Sequence, residues 1–320
     1  SGETVRIGDV GRNGNLTPRE IIEYSSNSGA AYASDQVDSE SLYRMLTRFG
    51  FGRATGLPLL GETPGLLRKP SLWSGRSKPT VTIGQEISVS AIQMLQAATA
   101  IANGGVLLKP QIVRKIVSPE GKVIREYGRE PLWEVVSPQV AGEMLDYMEA
   151  ATSPEGTARR VSIPGVRISA KTGTAQVASP GGYSATDFIA SLMGILPTDD
   201  PQLIIYVVLE NPKGQSYYGS TVAAPIFHDV ALAAIDILGI PRAGTRTVKV
   251  PSEVAVTLPR QVEISSVMPD LLGVPKRLLL PLLLRTDISV TIQGSGFVVQ
   301  QDPKPGVPIQ AGMKITLELK

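Results

Sequence analysis

Cysteine is absent from the 320 residues. That excludes disulfides, thiolate metal sites and a cysteine nucleophile. It suits a protein working outside the cytoplasm, although many cytosolic chains share the feature. A single histidine, His228, is present, so a Ser-His-Asp triad uses that residue or does not exist. Phe, Trp and Tyr make up 5% of the chain, too little for a platform on which nucleic-acid bases stack. Charged residues are 19% and the net charge is +2, which leaves no electrostatic footprint for nucleic acid or for a polybasic membrane anchor. No run approaches the roughly 18 apolar residues of a membrane span; "LIIYVVL" at 203–209 has the length of a strand. No metal-ligand spacing is visible and no cofactor is implied. The chain starts on Ser1 and lacks a signal-peptide pattern, so the expectation is a fragment without its N-terminal part.

Apolar content, at 42%, is enough for a real core, and the length allows two domains. "TPREIIEY" at 17–24 predicts a short helix: Thr17 caps it, Pro18 suits the first helical position and Glu20 completes a capping box. "SSNSG" follows and reads as a loop. A second helix is expected over 39–49 with Gly50 as its C-cap. Residues 50–80, rich in Gly and Pro, read as a surface excursion. Ser90 and Gln93 form another capping box, opening a helix that Gly104 ends. Residues 107–127 predict a hairpin around "SPEGK", and Ser137 with Pro138 starts another helix. Strands are expected at 166–178, 187–196 and 203–210, then a helix over 221–238 stopped by Gly239 and Pro241. The last segment, 264–320, predicts a leucine-rich helix near 275–285 and three short strands.

Two motifs carry chemistry. In "AKTGT", alternate residues of a strand share a face, so Lys171 and Gly173 point to one side. Gly173 leaves room for a ligand backbone, Thr172 and Thr174 offer hydroxyls, and Lys171 offers a compact positive charge. Together they suit a carboxylate beside an extended peptide. The plainer alternative is a lysine at a strand end among threonines chosen for β-propensity. In "YSSNSG", Ser25 and Asn27 lie two apart just past a helix end and can aim a hydroxyl and an amide at one point; a polar helix terminus looks the same. His228 reads as a surface or satisfied histidine, and Asp199 with Asp200 as a turn.

In this order, the two motifs resemble the second and third signatures of the serine penicillin-binding proteins and β-lactamases. "LTPREIIEYSSNSG", "FGFGRATGLPLLGETPGLL", "TIGQEISVSAIQMLQAATAIANGG", "EGTARR", "AKTGTAQ" and "AAPIF" are similar to class B penicillin-binding proteins over roughly residues 1–240. The first signature of that family, S-x-x-K, is missing: no lysine here has a serine three residues before it. The acylated serine and its lysine are therefore not in this chain, and truncation explains that better than a degenerate pseudoenzyme. The resemblance implies that Ser25 relays protons and that Asn27 binds the missing lysine and the amide of a stem peptide. It also implies that Lys171 holds the site electrostatically, that the Thr172 and Thr174 hydroxyls bind a carboxylate, and that the Thr174 N–H supplies half of an oxyanion hole. The implied reaction is acyl transfer from D-Ala-D-Ala stem peptides, cross-linking peptidoglycan, with β-lactams as covalent inhibitors.

"MPDLLGVPKRLLLPLLL", "GSGFVVQQDPKPGVPIQAG" and "ITLEL" resemble a PASTA domain, either a ligand-binding or a structural, partner-docking module. The expected fold is a mixed α/β transpeptidase domain over 1–241, truncated at its N-terminus, a linker over 242–263 and the PASTA domain over 264–320. Two other classes stay open: a β-lactamase or β-lactam sensor on the same fold, and a non-catalytic wall-binding scaffold. The implied location is the extracytoplasmic face of a bacterial inner membrane, anchored upstream, among cell-wall synthesis and divisome membrane proteins. Without upstream strands the sheet would keep an uncovered edge, so the fragment alone is expected to be unstable or to aggregate.

Overall fold

The computed structural model describes residues 7–11, 14–179, 182–243, 262 and 264–320. It divides into two compact units, Ser1–Arg246 and Thr247–Lys320. Of the expected linker 242–263, all but 242, 243 and 262 lie outside the described residues.

The first unit opens with α1 (Pro18–Glu23), closed by the expected capping box: Thr17 Oγ1 accepts the Glu20 N–H while the Glu20 carboxylate accepts the Thr17 N–H. The "SSNSG" stretch is non-helical only at Ser25 and Ser26. Ser26 Oγ accepts the Gly29 N–H at 2.9 Å, and this cap restarts a helix, α2 (Asn27–Ser34). Asp38 caps α3 (Ser39–Arg48), whose C-cap is Phe49 rather than Gly50. The excursion over 50–80 is mostly irregular, but its end folds into α4 (Ser77–Thr82). α5 (Ala91–Ala102) has the expected Ser90/Gln93 box. Gln93 is fully buried and donates to the carbonyls of Arg53 and Pro64 at 2.8 and 3.0 Å, which fastens the excursion to the helix.

β1 (Val106–Leu108), β2 (Lys115–Val117), β3 (Val123–Glu126) and β4 (Pro131–Glu134) form two small ladders. β2 and β3 pair around "SPEGK" as expected, and the Tyr127 N–H donates to the Arg114 carbonyl at 2.8 Å, but β1 stays apart from them and pairs with β4. Ser137 caps α6 (Pro138–Ala150).

The main sheet is β5 (Ser169–Ser179), β6 (Gly182–Leu196) and β7 (Leu203–Glu210), antiparallel in the order β5-β6-β7. The β5–β6 hairpin runs further than the sequence pattern suggests. A register shift after Gln176 keeps Ala178 paired with Tyr183, and Ser184 Oγ donates to Asp187 at 2.8 Å within the polar stretch between the two expected strands.

α7 (Gly219–Leu238) lies on one face of the sheet, its buried Ala223, Ala224, Phe227, Ala231 and Ile235 sharing a core with Leu192 and Leu196. It is long and apolar enough to cross a membrane, yet this face is committed to the sheet. The other face carries Met193, Ile195 and Ile204, which pack with Ala98 of α5 and Leu145 and Met148 of α6. Alternation along β6 thus fixes which side each β5 residue faces.

In the second unit a 3-10 turn, Lys276–Leu279, runs into α8 (Leu280–Leu283), followed by β8 (Ser289–Gly294), β9 (Val298–Asp302) and β10 (Lys314–Leu319). β10 is central, parallel to β8 and antiparallel to β9. Its core contains Met268, Leu271, Leu279, Leu282, Ile315 and Leu317. Gln301 braces the loops: its Oε1 accepts the Leu271 N–H at 2.6 Å and its Nε2 donates to the Pro269 carbonyl at 3.0 Å.

Candidate active site

On β5, Lys171 pairs with Met193 and Gly173 with Ser191, so both belong to the face covered by α5 and α6. Thr172 pairs with Leu192 and Thr174 with Ala190, on the α7 face. The four motif residues therefore divide between the two sides of one strand. β5 is the edge of its sheet, and among the described residues its outer edge has no strand partner.

On the first side, α1 packs against α6 and ends beside Lys171. Tyr24 is its C-cap, and Ser25 follows with φ 55, a left-handed backbone that helix ends normally give to glycine. The Ser26 N–H closes on the Ile21 carbonyl at 3.0 Å and holds the turn. This strained residue delivers its hydroxyl to the lysine: Lys171 Nζ donates to Ser25 Oγ at 2.6 Å and to the Thr172 carbonyl at 2.8 Å. Burial draws the Lys171 ammonium down from 10.5 to about 8.

Asn27, the first residue of α2, points its amide at the Gly8 carbonyl at 3.5 Å. Its neighbours are held by Asp9, whose carboxylate accepts Ser26 Oγ at 2.7 Å, Ser28 Oγ at 2.7 Å and the Ser28 N–H at 2.9 Å. No local pattern around Asp9 signals this role.

On the second side, Thr174 Oγ1 accepts the N–H of Gly219, the first residue of α7, at 3.1 Å. A Cβ on Gly219 would lie 2.3 Å from the Ser191 carbonyl oxygen and 2.6 Å from that of Gly173, so only glycine lets the helix start here. The positive end of a 20-residue helix is thereby set against the strand. Gly173 is small for an internal reason too: its Cβ would meet Ser191 Oγ at 2.6 Å. The room the sequence suggested for a ligand on that face is taken by Ser191. Phe188 and Tyr217 stack with centroids 3.9 Å apart, and Tyr218 adjoins them at 4.6 Å, just ahead of Gly219.

His228 lies outside the site on α7, its Nδ1 3.4 Å from Asp229 Oδ1. Asp199 and Asp200 sit in the turn between β6 and β7. Among the described residues no group of three or more His, Asp or Glu is placed to hold a metal ion.

A long helix on an antiparallel sheet, with a Lys-Thr-Gly-Thr edge strand beside a Ser-x-Asn turn, defines the fold shared by penicillin-binding proteins and β-lactamases. Residues 3–232 match the penicillin binding protein transpeptidase domain, and the chain belongs to that family; residues 266–320 match the PASTA domain. Stage V sporulation protein D of Bacillus subtilis is 30% identical over 99% of this chain and 48% of its own length. Penicillin-binding protein PbpB of Mycobacterium tuberculosis is 34% identical over 67% of this chain and 33% of its own. The chain thus spans half or less of these relatives. Penicillin binding protein 3 of Mycobacterium tuberculosis, solved with aztreonam, superposes with a TM-score of 0.67 at 32% identity, covering 75% of this chain and 56% of that one.

Proposed function

We propose that this chain supplies the lysine-bearing strand, the Ser-x-Asn turn and the substrate edge of a peptidoglycan D,D-transpeptidase. The observation that carries the proposal is the 2.6 Å contact of Lys171 Nζ with Ser25 Oγ, on a strand whose other face holds Thr174 against the start of α7.

The reaction is serine acyl transfer. The serine Oγ attacks the carbonyl of the penultimate D-Ala, the terminal D-Ala leaves as an amine, and an acyl-ester remains. An acceptor amine then attacks the ester, forms the cross-linking peptide bond and frees the serine. No lysine of this chain follows a serine at the S-x-x-K spacing, so the nucleophile and its lysine come from outside these 320 residues. Ser25, hydrogen-bonded to a lysine with a lowered pKa, passes a proton toward the departing amine. Asn27 binds the amide of the stem peptide. The substrate lies along the free edge of β5, and its terminal carboxylate meets the positive end of α7. The Thr174 hydroxyl already accepts from Gly219 and has its own proton to give that carboxylate; Thr172, across from Leu192, shares this side. β-Lactams acylate the same serine. The enzyme works at the extracytoplasmic face of the inner membrane with other cell-wall synthesis proteins.

The full product of the gene, incubated with a stem peptide ending in D-Ala-D-Ala and an amine acceptor, should release D-Ala and form cross-linked product. Lys171→Ala should slow this by about a hundredfold or more, the range of a lost proton-transfer partner. Rapid turnover of a β-lactam with no peptide product would assign the fold to a β-lactamase instead.

A further inference from the structure

Glu86 is a non-glycine residue with φ 57, placed just after α4 in the sequence "IGQEIS". Its carboxylate is 13% exposed and heavily bonded. It accepts Ser77 Oγ at 2.8 Å, Thr80 Oγ1 at 2.7 Å and the Arg68 guanidinium, with Arg76 Nε 4.0 Å away. These contacts hold the left-handed backbone. They also turn its N–H outward, where it donates to the Tyr183 hydroxyl at 3.0 Å. Tyr183 stands near the end of the β5–β6 hairpin, opposite Ala178.

The partner of this hairpin is a continuous wall. It begins at Ser25, runs along α2, passes to α4, which packs on α2, and ends at Glu86. Lys78 of α4 ties the wall together, donating to the Val37 carbonyl at 3.2 Å and pairing with Asp35 at 3.3 Å. Wall and hairpin are thus joined twice: Ser25 to Lys171 at one end, Glu86 to Tyr183 at the other. Between Lys171 and Ala178 the strand runs roughly 23 Å at about 3.3 Å per residue, the length of an extended peptide of about seven residues.

We propose that Glu86 and Tyr183 are positioning residues that latch the far end of the substrate cleft, fixing its width for the long stem peptide. This rests on the transpeptidase reading above. The latch lies away from the Ser25–Lys171 contact, so it governs ligands that extend along the strand and not those confined to the reacting end.

Tyr183→Phe removes one oxygen from a partly exposed side chain and tests this directly. In the full gene product, acylation by a fluorescent penicillin should stay within about twofold of wild type. The KM for a D-Ala-D-Ala stem pentapeptide should rise about two- to tenfold, the effect of one lost hydrogen bond, with kcat retained. An unchanged KM, or equal losses toward both ligands, overturns the latch. Failure of the wild-type protein to react with penicillin overturns the transpeptidase reading itself, and the latch with it.

Discussion

Ser25 adopts a conformation usually left to glycine and spends its hydroxyl on a half-buried lysine. The lysine shows the same tension, since burial holds its pKa near 8 rather than 10.5. Between those two values the folded state binds fewer protons at this site than the unfolded chain. Stability from Lys171 therefore rises as pH climbs from about 8 to about 10.5, and the burial penalty is complete below 8. Urea unfolding of wild type and Lys171→Met across pH 7.5–10 should show the wild type gaining on the variant; parallel curves would mean that the ammonium is not desolvated. The motif residues Ser25, Asn27, Lys171, Thr172, Gly173 and Thr174 are legible in the sequence because they are close neighbours with distinctive chemistry. Asp9, Ser191 and Gly219 are not, since each matters through a contact with a residue distant along the chain.

Elements with local signals are easily read. Thr17 and Ser90 announce their helices through capping boxes, and Ser137 through a cap followed by proline. Elements defined by tertiary pairing are not: β1 bypasses the adjacent hairpin to pair with β4, and β6 extends through a polar stretch that locally favours a turn. α2 was obscured because its cap, Ser26, directly follows the left-handed turn of Ser25. The junction of α7 with the sheet gives the clearest test at this scale. In Gly219→Ala the new methyl meets two backbone carbonyl oxygens, which cannot swing aside as a side chain would. The substitution should cost about 1–3 kcal/mol of stability, as overpacking does, and weaken the Thr174 contact; a variant as stable as wild type would show that the helix start is not seated as described.

At the scale of the molecule, each unit has its own core, one built on β5–β7 and α7, the other on β8–β10. Leu317 is fully buried in the second. Leu317→Ala should lower the calorimetric transition of that unit by about 2–5 kcal/mol and leave the other in place. A shift of both would contradict independent cores. Among the described residues the outer edge of β5 is unpaired, and the first unit is expected to scatter light on heating. That same edge is where the catalytic proposal puts the substrate.

The most direct measurement is labelling of the full gene product with a fluorescent penicillin, followed by identification of the modified peptide. One covalent label is expected on a serine three residues before a lysine, outside residues 1–320, with its loss in Lys171→Ala while the protein stays folded. A folded protein that takes no label would contradict the acyl-transfer role and leave a wall-binding scaffold in its place.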